Sequence, residues 1–488
     1  PEPGGAVKTG EYTLPGFRHD WAAMNMSQFA GSAFMREHGA ELAKYGLEFV
    51  PTDHPFASSF DNGTWLGISK DSAQNLNRIR SFAGEADAQA WQRLSDEFPA
   101  RADMVFAILG SPMSARGLAK LGWKGWRGLG TGGSADLINF LLSSPRAWLD
   151  GEFASDGLKA MLAAWGMHLD FAPDVAGGAL FPWLEGMAGQ AHGMVLGKNG
   201  ANTVIKAMVA MIEARGGSVI CNAPVAAIET AGGAATSITL ADGRNIRAAK
   251  AVIANVTPAA LLKLTGGTDD LRYEDAMRKF THAPGTMMIH LAMDALPDWS
   301  AGAELQQFAY VNLAPSMDMM ARTYAQAQAG LLPDEPVVIV GQPTAIDPTR
   351  APDGKHILWL QVRMAPGTIK GDAKGEIAAT EWKTAAKPFA NRALDILERH
   401  APGTRAKILG QHIVTPNMLE ADNPNLVGGD QVCGSHHLHQ HFMFRPARGY
   451  ADGTTPIQRL YHTGAAVWPG GGAGAGPGTL LAKKLAGK

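Results

Sequence analysis

The 488-residue sequence predicts an α/β (α+β) protein in which a mixed sheet and a layer of helices share the chain with a C-terminal strand, glycine-rich loop and helix. Three observations carry that reading. The last thirty residues run from a short apolar strand through a glycine-rich loop, Gly470 to Gly478, into a helical tail. Residues 202–255 follow the order helix, strand, hairpin, strand. Residues 286–294 and 356–364 alternate in polarity around an apolar run at 337–341, as strands of a mixed sheet with one face on a pocket or core do.

From the N-terminus, residues 7–20 read as two short strands around the Leu14-Pro15-Gly16 turn. Helical spacing over 33–45 stops before Gly46. Residues 49–69 read as strands separated by Asp61-Asn62-Gly63, a hairpin signal. From about 71 to 165 the pattern is mainly helical, with breaks at Gly110-Ser111-Pro112 and across the glycines of 128–133, and no tandem repeat. Asn202 is placed to cap a helix with Val204, Met208, Met211 and Ile212 on one face, and Gly216-Gly217 ends it. Residues 218–222 then form a strand, 238–248 a hairpin turning at Asp242-Gly243, and 250–255 a buried strand stopped by Thr257-Pro258. A long amphipathic helix over 376–400 carries Ile377, Trp382, Phe389, Leu394 and Leu397.

Composition narrows the function classes. With 46% hydrophobic and 18% charged residues the chain is globular, long enough for two or three domains with ample core. A net charge of −2 and no basic stripe exclude a nucleic-acid partner. Two cysteines, Cys221 and Cys433, make neither a disulfide framework nor a metal-site spacing, which fits a reducing, cytoplasmic compartment. No run reaches membrane-span length and no signal peptide shows at this N-terminus, which leaves peripheral membrane contact and homo-oligomer formation open. Twelve tryptophans and 21 methionines fill cores and also suit broad pockets for greasy substrates.

The chemistry-bearing residues gather late in the chain. Glycines let backbone approach a ligand closely, and a helix N-terminus favours negative charge, so Gly470, Gly471, Gly472 and Gly476 suit a diphosphate and a flat ring against the main chain. In Ser435-His436-His437-Leu438-His439-Gln440-His441, a strand would put His437, His439 and His441 on one face. Asp430 and Cys433 are near, so a metal site stands beside a polar lining with one histidine as a base. Arg445 either sets positive charge near a ligand or a substrate carboxylate, or makes a structural ion pair. There is no Gly-x-Ser-x-Gly elbow and no paired-carboxylate signature.

These segments resemble a known family. Leu460-Tyr461-His462-Thr463-Gly464-Ala465-Ala466-Val467-Trp468-Pro469 and the glycines after it look like the closing motif of the phytoene desaturase-like flavoproteins of the amine oxidase superfamily. The wording is closest to the branch called pyridine nucleotide-disulfide oxidoreductase domain-containing protein 2, as are Gly428-Gly429-Asp430, Phe444-Arg445-Pro446 and Thr455-Pro456-Ile457. Gly4-Gly5-Ala6-Val7-Lys8-Thr9 and Leu14-Pro15-Gly16-Phe17 resemble the family's second flavin motif and the strand after it.

The resemblance implies a discontinuous Rossmann-like FAD-binding domain over 1–60, 190–270 and 450–488, with an inserted mixed-sheet and helical substrate domain over 61–189 and 271–449. It implies FAD as cofactor, held by Gly4, Gly5, Lys8, Val225, Gly464, Ala465, Gly470, Gly471, Gly472 and Gly476, with His439, His441 and Arg445 as catalytic candidates, and a polar lining rather than a metal site at the histidine cluster. The implied reaction passes a hydride from a hydrophobic small molecule to flavin, C–C desaturation among the options, with oxygen or a quinone as electron acceptor. A flavin amine oxidase is the second enzyme reading. The family's opening Gly-x-Gly-x-x-Gly turn is absent, and Pro1 falls inside a motif, so a cut or incomplete sequence is expected. A flavin-free scaffold, or a subunit completed by another chain, is the non-catalytic alternative.

Overall fold

Two central strands, Gly285–Met293 and His356–Ala365, run antiparallel through the middle of the protein and are buried along almost their whole length. The computed structural model describes residues 2–472 and 474–487; Pro1, Lys488 and Ala473, the last a member of the glycine loop, lie outside the described residues. Around the central pair a seven-stranded sheet has the order Ile408–Val414, Gly285–Met293, His356–Ala365, Val337–Gly341, Tyr310–Leu313, Phe56–Ser59, Trp65–Ile68. All its junctions are antiparallel except Tyr310–Leu313 with Phe56–Ser59.

The alternation read from the sequence divides two cores rather than a core from solvent. Met287, Ile289, Leu291 and Met293 point with Leu358, Leu360 and Val362 into a cluster covered by the helix Trp382–His400 through Phe389, Leu394 and Leu397. Met288, Trp359 and Met364 point the other way, into the cluster shared with the helices Ser72–Ala83, Glu85–Leu109, Asp156–Gly166 and Leu180–His192. The Asp61-Asn62-Gly63 hairpin forms as expected, and so does the break after Leu109. Gly130, with non-helical backbone angles, kinks the helix Ala115–Leu142. No described helix is long and apolar enough to cross a membrane.

Next to this body lies a small parallel pair, Val252–Ala254 with Leu460–His462, and an antiparallel three-stranded sheet, Val225–Ala231, Ala234–Leu240 and Asn245–Arg247. Several expectations need correction here. Residues 218–222 form no strand and are exposed, because a parallel-type strand needs a neighbour for its N–H and C=O groups and none pairs with it among the described residues. Ile253 is half-exposed rather than buried, since the parallel pair is covered on one side only. Asn202 is the first helical residue of Asn202–Ala214, and Ala201 stands at the cap with no side-chain hydrogen bond; Ile212 turns outward while Ala207 takes its place on the buried face. The long helix begins at Trp382, because Asp372 takes the main-chain N–H groups of Glu376 and Ile377 into a turn before it.

Candidate active site

The glycine loop rests on a buried arginine. Arg445, fully buried, donates from Nε and Nη2 to the Ala465 carbonyl (3.1 and 2.8 Å) and from Nη1 to the Ser435 carbonyl (2.7 Å). Its Nη2 also reaches the carbonyls of Cys433 and Gly434, at 3.3 and 3.2 Å. A planar fork of fixed donors is suited to such converging carbonyls, and it binds residues 433–435 to the turn at 464–467. Burial draws the guanidinium pKa down to about 10, which leaves it charged at neutral pH. Arg445 is thus neither in a strand-end ion pair nor free for a substrate: the main chain takes its donors. Trp468, one turn on, is fixed by its indole N–H donating to the Ser111 carbonyl at 2.9 Å.

On this frame the loop glycines press against other segments. A β-carbon on Gly470, whose φ is +106°, would lie 2.4 Å from His436 Nε2. One on Gly471 would lie 2.5 Å from the Val432 carbonyl, and one on Gly472 would lie 2.7 Å from Gln28 Oε1. Gly464 abuts Asn255, and Gly476 abuts the Pro469 ring as it opens the helix Gly476–Leu485. At the other end Gly4 and Gly5 form a turn closed by Val7 N–H on the Gly4 carbonyl (3.0 Å), with Gly5 against the Asn423 amide. Lys8 is buried, pairs with Asp422, and lies 5.3 Å from the Trp21 ring centre. Val225 opens its strand opposite Leu240, on the exposed side of the three-stranded sheet.

The histidines do not share a strand face. Their segment folds into 3₁₀ turns, Leu438–Gln440 and Phe442–Phe444, which expose His439 and bury His441. His441 packs against Trp468 at 5.0 Å and His436 at 5.1 Å between ring centres, and its Nδ1 has no partner. His436, buried against Gly470, has neither ring nitrogen satisfied. Burial, followed by the Arg445 charge, holds both pKa values well below the usual histidine range, so both rings are neutral at neutral pH. His437 donates from Nε2 to the Asp170 carbonyl (2.7 Å) and lies 3.2 Å from Asp170 Oδ2. Among the described residues no group of three or more His, Cys, Asp or Glu is arranged to hold a metal ion.

A second layer of the site was not singled out from the sequence. Gln28, beside Gly472, donates to Glu185 at 3.5 Å, and burial raises the Glu185 carboxyl to about pKa 6. Next to it a small cavity is lined by Met167, His168, Asp170, Thr286, Gln361 and Arg363 and closed by residues 430–432. The available signal was Gln361 and Arg363 inside an otherwise apolar strand, on the parity that faces inward. Unsatisfied ring nitrogens of His436 and His441 beside a loop without side chains fit a flat, hydrogen-bonding ring laid on the main chain of 470–472, as FAD presents.

Comparison with known proteins shows the family. The family described as flavin containing amine oxidoreductase matches residues 80–382, more than half of the chain. Pyridine nucleotide-disulfide oxidoreductase domain-containing protein 2 of Rattus norvegicus is 26% identical over 518 aligned positions, which cover 96% of this chain and 85% of that protein. Phytoene dehydrogenase of Streptomyces griseus is 28% identical over 207, covering 42% of this chain and 36% of the other. An oxidoreductase structure from Methanosarcina mazei shares the fold with TM-score 0.62 at 17% identity, over 100% of this chain and 92% of that one. The chain belongs to the flavin containing amine oxidoreductase family, whose cofactor is FAD.

Proposed function

We propose that this oxidoreductase takes a hydride and a proton across a C–C or C–X single bond of a hydrophobic small molecule, with oxygen or a quinone as the final acceptor. The observation that carries the reading is the loop 470–472, stripped of side chains, with neutral His436 against Gly470 and His441 packed behind it, both with ring nitrogens left unpartnered. FAD supplies the hydride acceptor when bound. Gly464, Ala465, Gly470, Gly471, Gly472 and Gly476 would lie along it on one side, Gly4 and Gly5 on the other, and Val225 at the adenine end. Lys8, tied to Asp422, would fix the Gly4-Gly5 turn rather than touch phosphate. His441, with His436 beside it, would take the proton as it leaves the substrate; the depressed pKa of both rings makes them neutral acceptors that pass the proton on rather than hold it. Arg445 positions the loop. Exposed His439 would sit at the mouth. The FAD unit would comprise 1–60, 190–270 and 450–488, and the substrate unit 61–189 and 271–449.

Amine oxidation is the second reading, since it too removes a hydride from carbon and a proton from its neighbour, here nitrogen, and turns a C–N bond into C=N. A buried aromatic row favours it: Trp165, Tyr310 and Trp359, with ring centres 6.2 and 5.8 Å apart. The test starts with the visible spectrum and intact mass of the purified chain. Flavin bands with the mass of this sequence support the reading, and no flavin after reconstitution with FAD sinks it. Anaerobic bleaching of the flavin by benzylamine, but not by a long-chain alkane or alkene, would select amine oxidation over desaturation.

A further inference from the structure

The inner face of the central strands carries polar side chains where packing alone would place apolar ones. Cross-strand pairing sets Thr286 beside Arg363, Met288 beside Gln361 and His290 beside Trp359 on that face. Gln361 is satisfied: it accepts from Arg363 Nε at 2.8 Å and donates to Gln431 Oε1 at 2.5 Å. Arg363 is not. It is 5% exposed, it lines the cavity, and its Nη1 has no hydrogen-bond partner.

No acid is in direct contact with its charge, although Glu185 acts on it from farther off. Among the described residues no carboxylate lies within 4.0 Å of the Arg363 guanidinium. Of the two acids of the cavity wall, Asp430 is held by main-chain donors, whereas both Asp170 carboxyl oxygens lack a hydrogen-bond partner and burial raises the Asp170 pKa. Asp430 accepts from the main-chain N–H groups of Val432, Gly434 and Ala283 at 2.9, 2.6 and 3.1 Å, and Asp170 faces His437. Burial draws the Arg363 pKa to about 10, so the side chain is charged at neutral pH. An unpaired charge in the interior costs several kcal/mol, and folds keep one where a ligand completes it.

The geometry points to a substrate that carries a carboxylate, seated on Arg363; the cavity of about 20 Å³ has room for that head group alone, so the apolar remainder would extend out past Met167, Met364 and Val432. A single guanidinium with no lysine or second free cation in the cavity wall matches one negative charge, where a phosphoryl group would call for more donors. Glu185 acts on the Arg363 charge and accepts from Gln28, which abuts Gly472, so the anion would be held at one end of the site proposed for the flavin. The inference rests on the oxidoreductase reading only in taking this ligand to be the substrate.

The test is calorimetric titration of the flavin-loaded protein with acetate, octanoate and 3-phenylpropanoate, each against its matched amide. At least one carboxylate should bind about 10-fold or more tighter than its amide, and Arg363→Gln should weaken that carboxylate about 30-fold while the amide is unchanged. Arg363→Lys, which keeps the charge, should retain part of the preference and serves if the glutamine variant does not fold. No carboxylate binding, equal binding of carboxylate and amide, or a preference that survives Arg363→Gln overturns the proposal. Loss of flavin on Arg363→Gln also overturns it, by assigning the guanidinium to the cofactor. If the parent protein takes up no flavin, the oxidoreductase reading fails on its own, and the same titration on that protein still decides whether Arg363 is a carboxylate site.

Discussion

Gly470 and His436 are packed so closely that a methyl group on the glycine would stand 2.4 Å from the imidazole Nε2. The His436 ring is itself wedged between Gly470 and His441, so it has little room to retreat. Gly470→Ala adds strain at a positive φ to that clash, at a cost of about 1–3 kcal/mol, and moves the loop. The expected outcome is a lower melting temperature with weakened FAD retention, read by thermal unfolding and visible absorbance. Unchanged flavin content would show that the loop does not touch the cofactor.

Asp20 and Arg350 form an ion pair in which both side chains are fully buried. Asp20 also accepts from Thr9 Oγ1 and Ala201 N–H, each at 2.7 Å. Arg350 also reaches Asp347 and the Gly197 carbonyl. Asp20→Ala leaves Arg350 with Asp347 as its one carboxylate and orphans the Thr9 and Ala201 donors, so it should lose about 3 kcal/mol in urea unfolding. A loss below about 1 kcal/mol would mean that water or Asp347 takes over the pairing.

Buried neutral histidines make stability depend on acid. Burial lowers the pKa of His19 to about 3 and of His462 to about 4. The unfolded chain therefore binds protons that the native state refuses once pH falls below about 6.5. Stability is full above that value and drops as pH falls toward 4, by about 1.4 kcal/mol per pH unit for each such histidine. Urea midpoints measured from pH 7.5 to 4.5 should show the slope, and His462→Asn should reduce it. A flat profile would contradict the burial of these rings.

The two thiols should differ sharply. Cys221 is exposed, whereas Cys433 is buried and burial pushes its thiol up to about 12. The folded protein should react with one equivalent of a disulfide reagent at neutral pH, and Cys221→Ser should abolish that reaction. Two equivalents reacting at similar rates would show that residues 433–435 open in solution.

Much of the fold could be read from local pattern, and the failures share one cause. The 61–63 hairpin, the helix over 33–44 and the central strands depend on turn chemistry and periodicity, which are local. Residues 218–222 read as a strand because they are apolar and follow a helix stop, but a strand exists only with a partner, and partners are set by topology. The histidine segment failed for a related reason. Alternating His437, His439 and His441 suggested a strand, while the carbonyls that Arg445 gathers from 433–435 hold the adjoining chain in tight turns. The glycine loop was legible because close backbone approach has only one residue type to use. Arg363 was visible but not interpretable, since an arginine in an apolar strand signifies a ligand only when its neighbours are known to leave it unpaired.

The pairing of Val252–Ala254 with Leu460–His462 sets an order of assembly. As the chain leaves the ribosome, the seven-stranded sheet is complete once Ile408–Val414 has emerged, while the earlier strand of the parallel pair still waits, its edge open, for a partner made almost last. Lys8 likewise waits for Asp422. Contacts of such sequence separation form slowly and leave apolar edges uncovered meanwhile. The nascent protein would thus pass through a state with a finished sheet and an unpaired strand at 252–254, and limited proteolysis of stalled chains ending near 450 should cut selectively within 215–255. Chaperone capture at that stage, more than the stability of the finished molecule, would then limit the yield of cofactor-loaded protein.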